Sequence, residues 1–338
     1  MAAGDISLKR FDIELPSGQL VTRELYANGR HQCRVSLLVV KIVEDERGIW
    51  VETPLTEVER ASATVTQFGT PNQPLPPGWY CDTEKNKFDA GLWRVADPGE
   101  QCTQASEPVE LVPEATVVEL IPRYMRAATS VRDDPVRFMG RITLGGKVFT
   151  TNGSAGGTIF YTYVDIFPML AIRLLVRDLT EYQDLNAFSG EIANNKIDID
   201  VYYWMPPSGL RFIENKGLDN PVPVTLEGMY FQTSFIYNFS GGNRKKGGIV
   251  WKKDALGLQL RVDDVQRPAG DNPFIEFNRY ATIMRAIRYS GWIDSPNSER
   301  MSPWRLLDNF GCEHVFRIAH GDNRNLLRLV DVGFEELD

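Results

Sequence analysis

An all-β chain of two β-sandwich-like domains with minor helix is what this sequence predicts, and three observations carry the prediction. Segments that alternate apolar and polar residues recur from about residue 20 to residue 332, the pattern of half-buried strands. Turn-forming pairs punctuate them, among them Asn28-Gly29 and Gly145-Gly146. The length, 338 residues, exceeds one ordinary core, since domains of roughly 100–150 residues are commonest.

The clearest element lies in residues 20–44. There Cys33, Val35, Leu37, Val39 and Val43 alternate with Gln32, Arg34, Ser36 and Glu44, while Leu38, Val40 and Ile42 make the run largely buried. This reads as one long strand. Asn28-Gly29 supplies the positive-φ residues that a tight hairpin turn requires, and Glu44-Asp45-Glu46-Arg47-Gly48 closes the strand with a second turn.

Tyr26-Ala27-Asn28-Gly29, the alternating strand and the acidic turn ending in Gly48 together resemble the core of bacterial immunoglobulin-like repeats of the invasin and intimin type. The resemblance covers about residues 18–60 and implies an immunoglobulin-like N-terminal domain. Repeats of that kind are rigid spacers or adhesive modules, so it carries over no catalytic residue. The chain departs from the family in having no second copy of the segment.

Further along, Thr56 and Glu59 stand at capping-box spacing and predict one or two helical turns. Residues 69–78, with Pro71, Pro74, Pro76 and Pro77, read as loop. From Arg94 to Arg123 no basic residue intervenes, while Asp97, Glu100, Glu107, Glu110 and Glu114 accumulate beside Pro98, Pro108 and Pro113. Self-repelling, proline-rich sequence stays extended, which places the expected domains at 1–110, immunoglobulin-like, and 115–338, a larger sandwich or jelly roll.

In the second part, strands are expected at 117–121, 141–144, 147–151, 158–167, 197–204, 312–319 and 326–332, with Gly145-Gly146 as a two-residue hairpin turn. Residues 171–179 fit strand or helix equally. Phe277, Tyr280, Met284 and Ile287 recur at helical spacing behind Asp271-Asn272-Pro273, which predicts a capped helix. Between Val224 and Val262, Met229, Phe231, Phe235, Tyr237 and Phe239 share one face, and a return strand starts at Ile249. That predicts a hairpin with a cationic, glycine-framed tip at Arg244-Lys245-Lys246.

Composition narrows function mainly by exclusion. Apolar residues at 43% and charged residues at 24% suit a folded domain, and a net charge of −8 repels phosphate backbones, so nucleic-acid binding is not expected. The four cysteines, Cys33, Cys81, Cys102 and Cys312, include no CxxC pair; Cys33 reads as a buried free thiol, and Cys81 and Cys102 are the pair that an oxidising compartment would join. The N-terminus carries Asp5 and no apolar core of a secretory signal, and the charge-free runs 148–164 and 228–243 are broken by glycine and polar residues. The expectation is a chain without a transmembrane helix, cytoplasmic or exported by a non-classical route.

No enzyme motif is written here. Gly153-Ser154-Ala155-Gly156-Gly157 lacks a nucleophile elbow's context and no Gly-Lys-Ser/Thr follows it. Of the three histidines, His31, His314 and His320, the last two share a strand face with Cys312, fewer ligands than a tetrahedral zinc site needs. Asp133-Asp134 and Asp263-Asp264 read as turn residues, and the latter with Asp271 and Asn272 lack calcium-loop spacing. No cofactor or metal is expected. Trp79, Tyr80 and Trp93 flank a polar loop and, with Arg244, Lys245 and Lys246, are the candidate ligand or partner contacts, although core packing competes for the rings, as it does for Tyr202, Tyr203 and Trp204.

The function expected is a non-catalytic structural or interaction protein, used in adhesion, particle assembly or delivery, with a protein partner or self-assembly and a glycan as a further possible ligand. The alternatives are a β-hairpin pore-forming or insecticidal toxin, motivated by the 224–262 segment, and a carbohydrate-binding or carbohydrate-active protein.

Overall fold

The computed structural model describes residues 4–94, 118–131, 134–192, 195–222, 231–238, 244–251, 259–261, 274–276, 283–292, 298–321 and 326–333. Strands dominate it, as the alternation predicts, and the chain divides between Ala171 and Ile172 into two units. No helix is long and apolar enough to cross a membrane among the described residues.

The first unit contains β1 (Ile6–Glu14), β2 (Val21–Tyr26), β3 (Cys33–Glu44), β4 (Trp50–Glu52), α1 (Glu57–Ser62), β5 (Thr64–Gln67) and β6 (Trp79–Asp82). It continues with β7 (Glu119–Ala127), β8 (Val136–Leu144), β9 (Lys147–Thr150), β10 (Ser154–Ala155), β11 (Thr158–Ile159) and β12 (Val164–Met169). One large sheet runs β1-β3-β7-β6 with β4 also on β3, the other large one runs β2-β12-β8-β5 with β9 also on β8, and β10 and β11 pair separately. The two large sheets pack face to face. Phe11, Val35 and Leu37 of the first sheet meet Phe138, Val164 and Ile166 of the second in one buried cluster, and each such side chain is worth roughly 1.5–3 kcal/mol of burial. Gly140 on β8 marks the closest approach: a Cβ there would stand 2.6 Å from a Leu37 methyl and 2.8 Å from Thr151 Cγ2.

Several expectations are met and others change. Thr56 and Glu59 form the capping box, and Gly145 and Gly146, both at positive φ, join β8 to β9. Asn28-Gly29 is no hairpin turn: Gly29 has φ 74°, but β2 and β3 lie in different sheets, so the pair serves a crossover. The expected strand at 158–167 splits into β11 and β12, because Phe160 and Thr162 donate to Gly153 and Thr151 carbonyls (both 2.8 Å) and leave the ladder. The expected boundary at 110–115 is corrected. Residues 95–117 lie outside the described set, but β7 pairs with β3 and β6 inside the first sheet, so the chain beyond 118 returns to the first unit.

The second unit holds β13 (Thr180–Ile192), β14 (Asn195–Met205), β15 (Phe212–Leu218), β16 (Phe231–Asn238), β17 (Arg244–Trp251) and β18 (Gln259–Arg261). Then come β19 (Phe274–Glu276), β20 (Arg285–Trp292), β21 (Ser298–Glu299), β22 (Pro303–Asp308), β23 (Glu313–His320) and β24 (Leu327–Asp331). A six-stranded sheet, β13-β14-β20-β17-β16-β21, faces a four-stranded one, β15-β22-β23-β24. The Trp204 and Trp304 rings meet edge to face at 6.1 Å between them, and the Ser234 hydroxyl donates to the Ile318 carbonyl at 2.8 Å. Strand β14 is buried on both faces, with Ile197, Ile199, Val201 and Tyr203 on one and Asp200, Tyr202 and Trp204 on the other.

That double burial explains the wrong helix. Met284 and Ile287, read at helical spacing, lie just before and within β20, and residues 283–291 are buried throughout; with both faces buried and Arg285, Arg288 and Ser290 among the buried side chains, the strand shows no apolar–polar period of two. Residues 277–282 and the proposed cap at 271–273 lie outside the described set. The segment at 171–179 is neither strand nor α-helix and holds one 3-10 turn at Val176–Asp178. The 224–262 hairpin is present as β16 and β17, but Arg244, Lys245 and Lys246 belong to β17 and not to the tip. They pair with Trp292, Gly291 and Ser290 of β20 on the other side, so β17 is an interior strand and cannot leave without breaking two ladders.

Candidate functional site

The polar groove of the first unit is built on β6, the edge strand of its sheet. Alternation sends Trp79 and Cys81 toward the core and Tyr80 and Asp82 outward. Across the ladder Tyr80 faces Arg126, whose guanidinium lies 4.9 Å from the Tyr80 ring centroid and forms a fork with the Asp82 carboxylate (Nη2 to Oδ1, 2.9 Å). Arg126 Nη1 donates to the Gly29 carbonyl at 2.6 Å, which ties the fork to the β2–β3 crossover.

The other wall is the segment after β6. Gln32 Nε2 donates to Asp82 Oδ2 at 2.7 Å and to the Glu84 carbonyl at 3.2 Å, while its Oε1 accepts from the Asn86 backbone at 2.7 Å. Asn86 in turn donates to the Arg30 carbonyl at 2.6 Å and accepts from the Phe88 backbone at 3.1 Å. His31 supports the crossover from beneath: fully buried, it accepts the Tyr26 N–H on Nδ1 at 2.9 Å. Between these walls is an open groove of about 660 Å³. Its floor is internally hydrogen-bonded, and Arg30, Thr83, Glu84 and Lys85 stand at the rim.

The Arg126 hydrogen bond, with a smaller contribution from Gln32, holds the Asp82 carboxyl below its ordinary range despite partial burial, and Asp82 raises Arg126 in return. Burial raises the Cys81 thiol, and burial with Glu24 nearby pushes Cys33 up to about 12. Both cysteines sit opposite Met125 on neighbouring strands, each as a neutral thiol. Cys102 lies outside the described residues, so its expected pairing with Cys81 does too. A second groove of about 380 Å³ lies near Thr83, Arg60 and Arg123. There Arg123 donates to the Ala63 and Arg60 carbonyls at 2.9 and 3.1 Å, which fastens α1 to the sheet.

Of the residues singled out from sequence, Tyr80 stands beside the groove, 47% exposed. Trp79 does not: it is core, its ring 4.8 Å from Phe138. Trp93 is half-buried, and its backbone N–H donates to the Tyr26 hydroxyl at 3.1 Å. Arg244, Lys245 and Lys246 lie in the second unit's sheet, and Tyr202, Tyr203 and Trp204 are buried there. His314 accepts the Leu174 N–H on Nδ1 at 3.0 Å, so its Nε2 carries the proton and donates to Asp308 at 3.0 Å; both side chains are fully buried. With both nitrogens engaged, the ring braces the segment before β13 against β22 and β23. Among the described residues no three His, Cys, Asp or Glu side chains converge as metal ligands. Asp133, Asp263, Asp264, Asp271 and Asn272 lie outside them.

Gln32, Asp82, Asn86 and Arg126 were not singled out from sequence. They are 44 to 54 positions apart in the pairs that bond; the β6–β7 register brings Asp82 to Arg126, and the coil residues Gln32 and Asn86 join them from outside the strands. A second aromatic and cation cluster also escaped: Arg137 lies 3.8 Å over Tyr163 and forks with Asp165 (2.9 Å twice), stitching β8 to β12. No protein-family model matches the chain, and no curated protein matches it at a significant level.

Proposed function

We propose that this chain is a non-catalytic interaction protein, acting in adhesion, particle assembly or delivery, and that its partner docks at the groove beside β6. One observation carries the reading: the groove floor is a connected chain of hydrogen bonds through Asn86, Gln32, Asp82 and Arg126, while its rim residues Thr83, Glu84 and Lys85 are exposed. A floor that needs no rearrangement lowers the ordering cost of binding. The same network argues against chemistry there. Asp82, held ionised by Arg126, is a poor proton acceptor, and Cys81, raised by burial, is a poor nucleophile. The resemblance of residues 18–60 to adhesive repeats points the same way.

The test uses fluorescently labelled full-length chain titrated onto a panel of bacterial and animal cells, with light scattering to follow self-association. Saturable decoration or a defined assembly is expected, weakened at least about 10-fold by the rim variant Glu84→Lys/Lys85→Glu, whose exposed positions leave folding intact. A rim variant that binds and assembles like the parent would overturn the docking site. A monomer that decorates no cell would overturn the function.

A further inference from the structure

We infer that the occupant of this groove is a neutral saccharide, an assignment that rests on the groove being the contact site. Charge pairing is the first argument. The groove is lined by Arg30, Lys85 and Arg126 against Asp82 and Glu84, one cation in excess, but Arg126 and Asp82 face each other in one fork. An anion drawn to Arg126 meets the Asp82 carboxylate within the same few ångströms, and a cation drawn to Asp82 meets the guanidinium. A neutral polyol meets neither penalty.

Hydrogen-bonding capacity is the second argument. Arg126 uses Nε and one N–H on Nη2 for Asp82 and one on Nη1 for Gly29, which leaves one N–H on each terminal nitrogen. Asp82 Oδ1 accepts from Arg126 and keeps a further lone-pair direction. The site thus offers donors and an acceptor side by side on planar groups. Adjacent hydroxyls of a pyranose, each both donor and acceptor, complement that arrangement, whereas a purely accepting or purely donating group would leave half of it unmatched.

The third argument is the ring. Arg126 covers one face of Tyr80 from 4.9 Å, yet the residue remains 47% exposed at the sheet edge. Tyr80 borders the groove rather than lining it, and the face that Arg126 leaves uncovered offers a flat apolar surface to the C–H face of a sugar residue that extends past the fork. The groove volume of about 660 Å³ falls within the roughly 300–1,000 Å³ typical of small-molecule sites.

The experiment is calorimetric titration of the full chain with lactose, maltotriose, mannotriose and chitotriose as neutral probes, sialyllactose as the anionic control and the glucosamine trimer as the cationic one. At least one neutral probe is expected to bind saturably and more tightly than either control. Tyr80→Ala should weaken it about 10-fold or more and Tyr80→Phe by no more than about 3-fold, since stacking needs the ring and not the hydroxyl. Thr83→Trp, which fills the rim without touching the floor, should abolish it. No binding by any neutral probe, tighter binding of a charged control, or binding indifferent to both Tyr80→Ala and Thr83→Trp overturns the assignment. Its failure is separable from failure of the docking site. If rim-dependent decoration of cells persists after periodate destroys their surface glycans, the groove contacts protein and only the saccharide falls; rim-independent decoration removes both.

Discussion

Asp200 and Arg288 face each other across the β14–β20 ladder, and both are almost entirely buried. The guanidinium forks onto Asp200 and reaches Asp198 at 2.6 Å, while Asp200 Oδ1 accepts the backbone N–H of Asn186, a residue at φ 59° where β13 shifts register. One carboxylate therefore neutralises a buried cation and fastens an irregular strand. Asp200→Ala strands most of that charge and should cost on the order of 3 kcal/mol, toward the low end for a broken buried pair because Asp198 remains. Asp5→Ala, at the exposed contact with Lys147, should stay within about 0.5 kcal/mol. Urea denaturation of the two variants checks the contrast, and equal losses would refute it. None of this pair was legible in the sequence, where Asp198 and Asp200 are two acidic residues in an apolar run and Arg288 stands 88 positions from Asp200. Trp79 and Tyr80 were read alike from the sequence, as rings flanking a polar loop, and only β6 shows that a period of two sends Tyr80 outward and Trp79 into the core. The partner of Tyr80, Arg126, was not legible, since no local pattern records which strands become neighbours.

Helix α1 is only six residues long and holds its place through tertiary contacts. Its capping box is the local part, with Thr56 Oγ1 accepting the Glu59 N–H at 3.3 Å and the Glu59 carboxylate accepting the Thr56 N–H at 2.8 Å. The same carboxylate accepts Lys41 Nζ at 2.9 and 2.8 Å, from a lysine on the buried run of β3. Burial opposes ionisation of Glu59, but Lys41 and the Thr56 N–H outweigh it, and the carboxyl lies below its ordinary value. The sign follows: this stabilisation is complete above the ordinary glutamate value of about 4.3 and is lost as pH falls through the lower folded value. Glu59→Gln should accordingly be less stable than the parent at pH 7, with the gap narrowing below about pH 4.3; urea midpoints measured from pH 3 to 7 check it, and a gap independent of pH would refute the assignment. The capping box was legible because it is local, and so were the hairpin at Gly145-Gly146 and the strands with one wet face. Two of the elements misread, β20 as a helix and Arg244-Lys245-Lys246 as a tip, are buried or paired on both sides, where alternation fades or a charged residue joins an interior ladder.

At the scale of the whole chain, the sequence signalled two domains but not where they part. The acidic, proline-rich stretch at 97–114 resembles a linker in composition, yet the strand after it, β7, inserts between β3 and β6 and carries Ile121, Met125 and Ala127 into the first unit's core. A composition shift marks a long connection; whether that connection leaves a domain or returns to it depends on pairing that is non-local. The two divisions make opposite predictions. A fragment of residues 172–338 keeps all three sheets of the second unit intact, the β18–β19 pair included, and should unfold in one cooperative thermal transition. A fragment of residues 115–338 retains β7, β8 and β12 without β3, β6, β5 and β2, so three strands lose the neighbours that complete their ladders and cover their apolar faces. Exposed strand edges of that kind recruit other chains. The longer fragment should bind hydrophobic dye, associate at micromolar concentration and be trimmed by protease to a stable core that begins close to residue 172. A 115–338 fragment that stays monomeric and resists trimming across 118–169 would show that β7 to β12 belong with the second unit after all.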